Sequence, residues 1–364
     1  MKYDFCVLGA GLAGLSVAKE ISSIPGVSVI VIDPLGIGGG ASGSPIGLAN
    51  PATGRFATKS WRAEESLEAI RSNLKEVSPY SSEKLFSRSG VMRPAMDSKI
   101  ARRMQENLES NNWPEDWCEW LSEDEIKTRF PDLQSEYGGV WVSTGITVAI
   151  PKYLQALSGY LKENGVQVQE NKKFELDRSS GNWNFKLSDG TQFEAQHLIT
   201  TAGIKTKEFD FWKGLPLHPV KGQVAIFECE DSFPYKAAIS ALGYFASLDS
   251  KTFVAGSTYE HNFTHEEVDL QGKEYIEKRM LRVMPQLKGK YKLIDQWSGV
   301  RASTPDRMPI IGRHPSIENC TVFTGLGSKG LLYSSLLANE ISRFLIDDSP
   351  LSSEISLERF NSKK

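Results

Sequence analysis

The chain has 364 residues, 40% of them hydrophobic and 24% charged, with a formal net charge of −3. This is ordinary globular usage, long enough for two interlocked domains and unlike a disordered or fibrous chain. A pI near 6.1 gives no global electrostatic drive toward nucleic acid or an anionic membrane, although a local basic patch can sit inside a mildly acidic total.

Residues 3–8 read as a short buried strand, followed by Gly9-Ala10-Gly11-Leu12-Ala13-Gly14 and a helical stretch over residues 15–24. After a turn at Pro25-Gly26, residues 27–32 form a second apolar strand that ends at Asp33. Glycine, serine and proline dominate residues 36–54, which predicts an extended loop, and so long a loop inside a compact chain is usually functional. Two charged helices are expected at residues 62–76 and 98–111, with Trp113, Trp117 and Trp120 behind the second, as an insertion that leaves the first sheet. Ile150-Pro151 opens a helix to about Leu161; a strand at 166–168 and a hairpin across Ser188-Asp189-Gly190 then lead to a strand at 197–201 that rejoins the sheet. Residues 224–228, 244–248 and 253–257 are expected as strands of a second, more antiparallel sheet, with a helix at 273–283 leaning on it. Val322-Phe323, a turn at Gly325 and an amphipathic helix over 330–346 close the chain.

Four scattered cysteines, Cys6, Cys118, Cys229 and Cys320, form no CxxC pair and suggest neither a zinc site nor a disulfide framework. No apolar run reaches the ~18 residues of a membrane span, and Asp4 with the glycines after it is wrong for a signal peptide. A cytoplasmic protein without a membrane partner is expected. Five histidines, His197, His218, His261, His265 and His314, show no metal-ligand spacing; His261 and His265 are four apart, but Asn262-Phe263-Thr264 favours a loop, and no metal is expected.

Gly9, Gly11 and Gly14 form GxGxxG between a strand and a helix. The glycines permit a tight turn, close approach of backbone to a pyrophosphate, and close helix-strand packing, while the helix aims its positive end at the diphosphate. Asp33 stands where an acid accepts hydrogen bonds from a ribose. FAD and NAD both use this fingerprint, so these residues do not choose between them.

The loop from Gly38 to Pro51, with Ala41-Ser42-Gly43-Ser44-Pro45-Ile46-Gly47 at its centre, would be unusual in a plain NAD domain, and here the chain resembles the D-amino-acid-oxidase-type flavoprotein family that includes glycine oxidase and sarcosine oxidase. The resemblance implies bound FAD, with Ala41, Ser42 and Gly47 along its pyrophosphate and isoalloxazine and Phe174 offering backbone groups near the adenine. Thr201-Ala202-Gly203 matches the family's strand-ending turn, and Pro219-Val220-Lys221-Gly222-Gln223 its crossover into the substrate sheet. Gly325, Gly327, Ser328, Lys329 and Gly330 would bring backbone amides and a helix N-terminus to the flavin; Lys329 either adds a full charge there or is solvated. Gly299 stands where the sarcosine oxidase branch has its linking cysteine, so the FAD is expected to be non-covalent. The expected fold class is α/β (α+β): a Rossmann-like FAD-binding domain, residues 1–75, 150–215 and 296–364, interleaved with a mostly antiparallel-sheet substrate domain, residues 76–149 and 216–295.

Within the family, the stretches 40–51, 299–312 and 324–331 are similar to the FAD domain of the bifunctional enzyme that makes 5-methylaminomethyl-2-thiouridine in tRNA. That enzyme's oxidative half removes a carboxymethyl group from a modified-uridine side chain. Two departures are expected, the lack of a methyltransferase domain and Lys329 where arginine is usual.

Arg301 is the candidate for holding a substrate carboxylate, because a guanidinium gives a planar bidentate match that lysine cannot, and it stands where the family binds substrate. A structural salt bridge to Asp306 is the competing reading. Tyr244 matches a substrate-facing tyrosine of the glycine oxidase branch, or is an ordinary packed tyrosine. The activity implied is FAD-dependent oxidation of an amine or amino acid at its C–N bond, with hydride transfer to the flavin, hydrolysis of the imine by water, and no obligatory protein base. The substrate is either a small amine or N-substituted glycine carrying a carboxylate, or a carboxymethylaminomethyl group on tRNA. The tRNA reading needs a basic rim, to which Arg55, Lys59, Arg62, Arg102 and Arg103 would contribute. A third reading makes the chain a flavin-binding subunit of a larger amine dehydrogenase.

Overall fold

The computed structural model describes residues 1–363. The chain opens with β1 (Lys2–Leu8), α1 (Leu12–Ser22) and β2 (Val29–Asp33), the two strands pairing in parallel. Side chains alternate along β1, so Val7 enters the core beneath the helices while Cys6 and Leu8 enter a second core on the other face. After the glycine-rich loop comes α2 (Ala63–Val77), whose Leu67, Ile70 and Leu74 join the helix-side core. This helix therefore packs with the first sheet, inside the 1–75 bound given above and apart from the insertion with which it was also grouped. Its apolar stripe marks a buried face without saying which neighbour covers it.

The excursion begins later, with β3 (Val91–Pro94), the helices Ser98–Ser110 and Glu123–Arg129, and β4 (Gly139–Val142). Then α3 (Ile150–Glu163) returns to the first layer, and β5 (Gln167–Glu170) and β6 (Gln192–Thr200) add parallel strands beside β2 and β1. The second sheet is built from β7 (His218–Cys229), β8 (Tyr244–Ser247) and β9 (Thr252–Gly256), with α4 (Leu270–Val283) behind it and β10 (Tyr291–Ser303) on its edge. Finally β11 (Cys320–Thr324) pairs in parallel with β6, and α5 (Gly330–Ile346) packs on α1 and α2.

The first sheet thus runs β5-β2-β1-β6-β11, all parallel, with Ile310–Arg313 antiparallel on the outer side of β11 and an antiparallel hairpin of Phe174–Ser179 and Asn182–Leu187 hung on the start of β6. The second has eight strands, ordered β10-β7-β9-β8, Ala238–Ile239, β3, β4 and Cys118–Leu121. All its pairings are antiparallel except that of Ala238–Ile239 with β3. β10 has no counterpart among the expected strands, and it runs unbroken across residue 296, where the nucleotide domain was expected to resume. Its outer half, Lys292 to Asp295, is exposed edge strand with no alternation to read.

The two faces of the second sheet differ in what covers them. Ala225 and Phe227 of β7 lie with Phe245, Phe253, Ile276 and Met280 in the core under α4. Val224, Tyr244, Val254 and Trp297 lie on the opposite face with Ile46 of the glycine-rich loop. Among the described residues no helix is long and apolar enough to cross a membrane.

One buried titratable group ties β6 to β11: His197 Nε2 lies 2.7 Å from Thr321 Oγ1. Burial, reinforced by the charge of Arg313, pushes its imidazole down to about 4. Below its unfolded value of about 6.5 the unfolded chain binds a proton that the folded chain refuses, so this stability is present above that pH and lost as pH falls toward the folded value. Replacing His197→Asn is expected to remove roughly 3 kcal/mol of the acid sensitivity between about pH 7 and pH 4, measured by denaturant unfolding at both.

Candidate functional site

Gly9 ends β1 with a φ of +114°, a backbone conformation open to glycine. A Cβ on Gly9 would lie 2.7 Å from the Thr201 carbonyl oxygen, and one on Gly14 would lie 1.8 Å from the Gly9 carbonyl oxygen. The end of β1, the first turn of α1 and the Thr201-Ala202-Gly203 turn after β6 are therefore pressed together with no room for a side chain. Thr201 Oγ1 secures the contact, 2.8 Å from the Leu8 carbonyl and 3.1 Å from that of Gly9. The Gly203 carbonyl in turn accepts from Thr324 Oγ1 at 3.0 Å, which brings in the end of β11.

Ala41 and Ser42 lie in a short turn, and Ser42 Oγ accepts the Leu12 N–H at the opening of α1 at 3.1 Å. A Cβ on Gly11 would come within 2.8 Å of that hydroxyl. Asp33 accepts the Ala10 N–H at 2.7 Å on one carboxylate oxygen and the Leu35 N–H at 2.8 Å on the other. Burial raises its carboxyl above the ordinary value, against the pull of those two hydrogen bonds. The N-cap of α1 is Gly11, which supplies no side-chain cap, and the first turn carries no acid. A helix N-terminus without cap or acid, a glycine cradle and a carboxylate with spare lone pairs are the fittings of a dinucleotide, and these residues fit FAD.

Three further segments converge on the same place. A Cβ on Gly330 would touch Leu12 Cδ1 at 3.4 Å, so the N-terminus of α5 stands beside that of α1. Gly325 and Gly327, with φ of +76° and +55°, turn the chain from β11 into α5, and the Gly327 N–H donates to the Ala302 carbonyl of β10 at 2.9 Å. Ser328 is exposed on this turn. Lys329 is partly buried over the Tyr333 ring, 5.5 Å from its centroid, and burial lowers its ammonium below the ordinary lysine value with Arg307 adding to the fall. Gly47 packs so closely that a Cβ would lie 2.6 Å from Ile150 and 3.0 Å from Leu331. Phe174 sits farther out, its ring engaged with Phe185 and Phe209, so that its backbone is the part left for a ligand.

The face of the second sheet that carries Tyr244 turns toward this loop. Trp297, Gly299 and Arg301 of β10 lie opposite Val224, Gly222 and Val220 of β7, while Tyr244 and Gly256 lie opposite each other one strand further on. Gly222, Gly256 and Gly299 hollow this face between the larger side chains. Arg301 lays its guanidinium across β7 over Gly222, where a Cβ would lie 2.2 Å from Nη2. It thereby reaches the segment after β9: Nη2 donates to Ser257 Oγ at 2.7 Å and Nη1 to the Thr258 carbonyl at 3.3 Å. The guanidinium is centred 4.5 Å from the Tyr259 ring centroid. Among the described residues it makes no ion pair, and Asp306, the competing partner, is taken by Arg359 at 2.7 Å.

Tyr244 places its hydroxyl 3.3 Å from the Ile46 carbonyl. Burial pushes its phenol up to about 12, with a hydrogen bond to Ser44 and the nearby charge of Arg301 working the other way, so it is neutral at ordinary pH. A Cβ on Gly299 would lie 2.5 Å from the Trp297 ring and 3.2 Å from Ala41 Cα, which leaves no room for a linking cysteine. Three of the five expected rim cations are paired with acids, Lys59 with Glu64 at 2.6 Å, Arg62 with Glu65 at 2.5 Å and with Glu340, and Arg102 with Glu106 at 3.5 Å, while among the described residues Arg55 and Arg103 make no ion pair. Arg103 lies over Phe56. Gly222, Ser257, Thr258 and Tyr259 were not among the expected site residues; the signal that pointed to them was a glycine in mid-strand, which often marks the close approach of another group.

A family model described as FAD-dependent oxidoreductase matches residues 4–343. Among curated relatives, the tRNA 5-methylaminomethyl-2-thiouridine biosynthesis bifunctional protein MnmC of Idiomarina loihiensis is 26% identical, aligned over 98% of this chain and 59% of its own length. That of Maricaulis maris is 27% identical, over 94% and 52%. The chain thus spans little more than half the length of these relatives. Among solved structures, glycine oxidase from Geobacillus kaustophilus superposes with a TM-score of 0.87 at 20% identity, covering 98% of this chain and 99% of that one. Iminodiacetate oxidase from Chelativorans sp. BNC1 gives 0.79 at 22% identity, covering 98% of both.

Gly222→Ala would set a methyl group where the Arg301 guanidinium lies. It is expected to leave FAD content unchanged and to weaken acetate binding on the order of tenfold, the worth of one charge-assisted hydrogen bond, read from perturbation of the visible flavin band.

Proposed function

The chain belongs to the D-amino-acid-oxidase-type family of FAD-dependent oxidoreductases, and we propose that it oxidises the C–N bond of a small amine that carries a carboxylate, an N-substituted glycine or amino acid. The observation that carries this reading is Arg301, a guanidinium without an acid partner among the described residues, fixed on the face that looks toward the glycine-rich loop. A partly buried cation is costly to leave unpaired, and a ligand carboxylate is the natural counter-charge.

FAD, when bound, supplies the two-electron acceptor for the C–H bond beside nitrogen. Gly9, Gly11, Gly14, Asp33, Ala41, Ser42, Gly47, Ala202, Gly203 and the 325–330 turn would hold it, with backbone groups of Phe174 at the adenine end. The rest of the work is orientation. Arg301 anchors the carboxylate, and Tyr244 walls the hollow with a neutral hydroxyl tied to Ile46. Trp297, beside Gly43 and Gly299, closes the side toward the loop and excludes water from the carbon that loses hydride.

A second reading keeps the same bond and changes the carrier: removal of the carboxymethyl group from carboxymethylaminomethyl-uridine in tRNA. The tRNA-modification names of the sequence relatives favour it. The pairing of Lys59, Arg62 and Arg102 with acids favours the small substrate, because it takes three of the five rim cations from phosphate contacts.

The deciding experiment is anaerobic reduction of the visible flavin band by glycine, sarcosine, D- and L-amino acids, and tRNA bearing carboxymethylaminomethyl-uridine. Reduction by a free amino acid supports the small-substrate reading, reduction by the modified tRNA alone replaces it with the second, and an unbleached flavin throughout overturns both. With whichever substrate reduces the flavin, Arg301→Ala is expected to raise KM about 100-fold, near 3 kcal/mol, with FAD content unchanged. Unchanged kinetics would remove the role given to Arg301.

A further inference from the structure

Lys221 and Gln223 flank Gly222 and point to the opposite face of the sheet, toward α4. Lys221 is 1% exposed, and a lysine is almost never so buried without partners. Its ammonium lies 3.0 Å from Asp269 Oδ2 and 3.6 Å from Glu260 Oε2. Gln223 Nε2 donates to the same two acids, at 2.9 Å to Asp269 and 3.0 Å to Glu260, while its Oε1 accepts the Asp269 N–H at 2.9 Å. The other Asp269 oxygen caps α4 through the Gly272 N–H at 2.7 Å. Thr258 Oγ1 donates to Glu260 and accepts the Gln223 N–H at 2.9 Å.

The backbone follows the same path. Lys221 and Glu260 exchange both N–H···O bonds at 3.0 Å, and the Thr258 N–H donates to the Gln223 carbonyl at 3.1 Å. The segment after β9 is thus fastened to β7 from behind. In front, the same few residues offer Arg301 the Ser257 hydroxyl, the Thr258 carbonyl and the Tyr259 ring. Of the four acids between β9 and α4, Glu260 and Asp269 are engaged by Lys221 on the far face, and among the described residues Arg301 on the near face pairs with none.

We infer that Lys221 is a positioning residue for substrate recognition: it sets the Ser257-Thr258-Tyr259 cradle and holds Glu260 and Asp269 away from Arg301, so that the guanidinium meets a substrate carboxylate oriented and unpaired. The inference rests on the carboxylate reading of Arg301. An arginine that must first be released from a chain acid binds its ligand more weakly by the free energy of that release.

The test is titration of the FAD-loaded protein with acetate, followed by the visible flavin band, in wild type, Lys221→Met, Arg301→Ala and the double variant. Lys221→Met is expected to weaken acetate about tenfold in the Arg301 background and less than about twofold in the Arg301→Ala background, because coupled residues are not additive. A purely structural role for Lys221 would lower affinity by the same factor in both backgrounds, and that result, or wild-type affinity in Lys221→Met, overturns the inference. Arg301→Ala binding acetate as wild type does would instead sink the carboxylate reading and leave Lys221 nothing to position. Should Lys221→Met fail to fold, Thr258→Val keeps the volume and every charge while cutting the link to Glu260; a several-fold loss confined to the Arg301 background supports the inference, and no loss or an equal loss in both overturns it.

Discussion

Arg301 reaches its partners because position 222 has no side chain. The guanidinium spans the strand that separates β10 from the segment after β9, and any Cβ at the crossing would stand 2.2 Å from one of its nitrogens. The cradle around Arg301 depends on that crossing. Ser257, Thr258 and Tyr259 become arginine ligands only if the cation arrives from two strands away, and Asp306, closer in sequence, is left to Arg359. The flanking Lys221 and Gln223 use the opposite face of the same strand, so one Lys-Gly-Gln triplet serves both sides of the sheet by simple alternation.

The nucleotide end obeys a similar rule of exclusion. Gly9, Gly14 and Thr201 meet so closely that the strand, the helix and the turn behave as one unit, and Ser42 brings the glycine-rich loop onto it. That loop then runs to the substrate sheet, with Gly43 against Trp297, Ala41 against Gly299 and the Ile46 carbonyl at the Tyr244 hydroxyl. The two sheets are thus joined by direct packing of backbone on backbone or on rigid aromatic rings, an arrangement with few rotamers to reorganise when a ligand enters.

The nucleotide half was legible because its constraints are local. A strand, three spaced glycines, a helix and an acid occur within the first 33 residues, and α5 was read to its residue bounds from its apolar stripe and the glycine before it. The bound FAD and the family were legible from motifs that cover nearly the whole chain. What escaped was non-local. β10 carries no alternation along its exposed outer half and was not seen as a strand, although it holds Arg301 and Trp297. The charges on α2 suggested a departure that its buried face does not allow. The cradle around Arg301 could not be read in one dimension, because it needs the register of three neighbouring strands, and register is decided by packing across the sheet.

β10 also acts as a ruler. Along one continuous strand it carries Trp297 against the glycine-rich loop, Gly299 beneath Ala41, Arg301 over Gly222, and the Ala302 carbonyl that receives the Gly327 N–H of the turn before α5. Extended chain advances about 3.3 Å per residue, so the spacing between these four functions is set by counting residues. Such a segment is forgiving of exchange at single positions on its solvent edge and intolerant of any change in length. One residue added or lost between Trp297 and Arg301 would send the arginine to the α4 side of the sheet and shift everything beyond it relative to the glycine-rich loop.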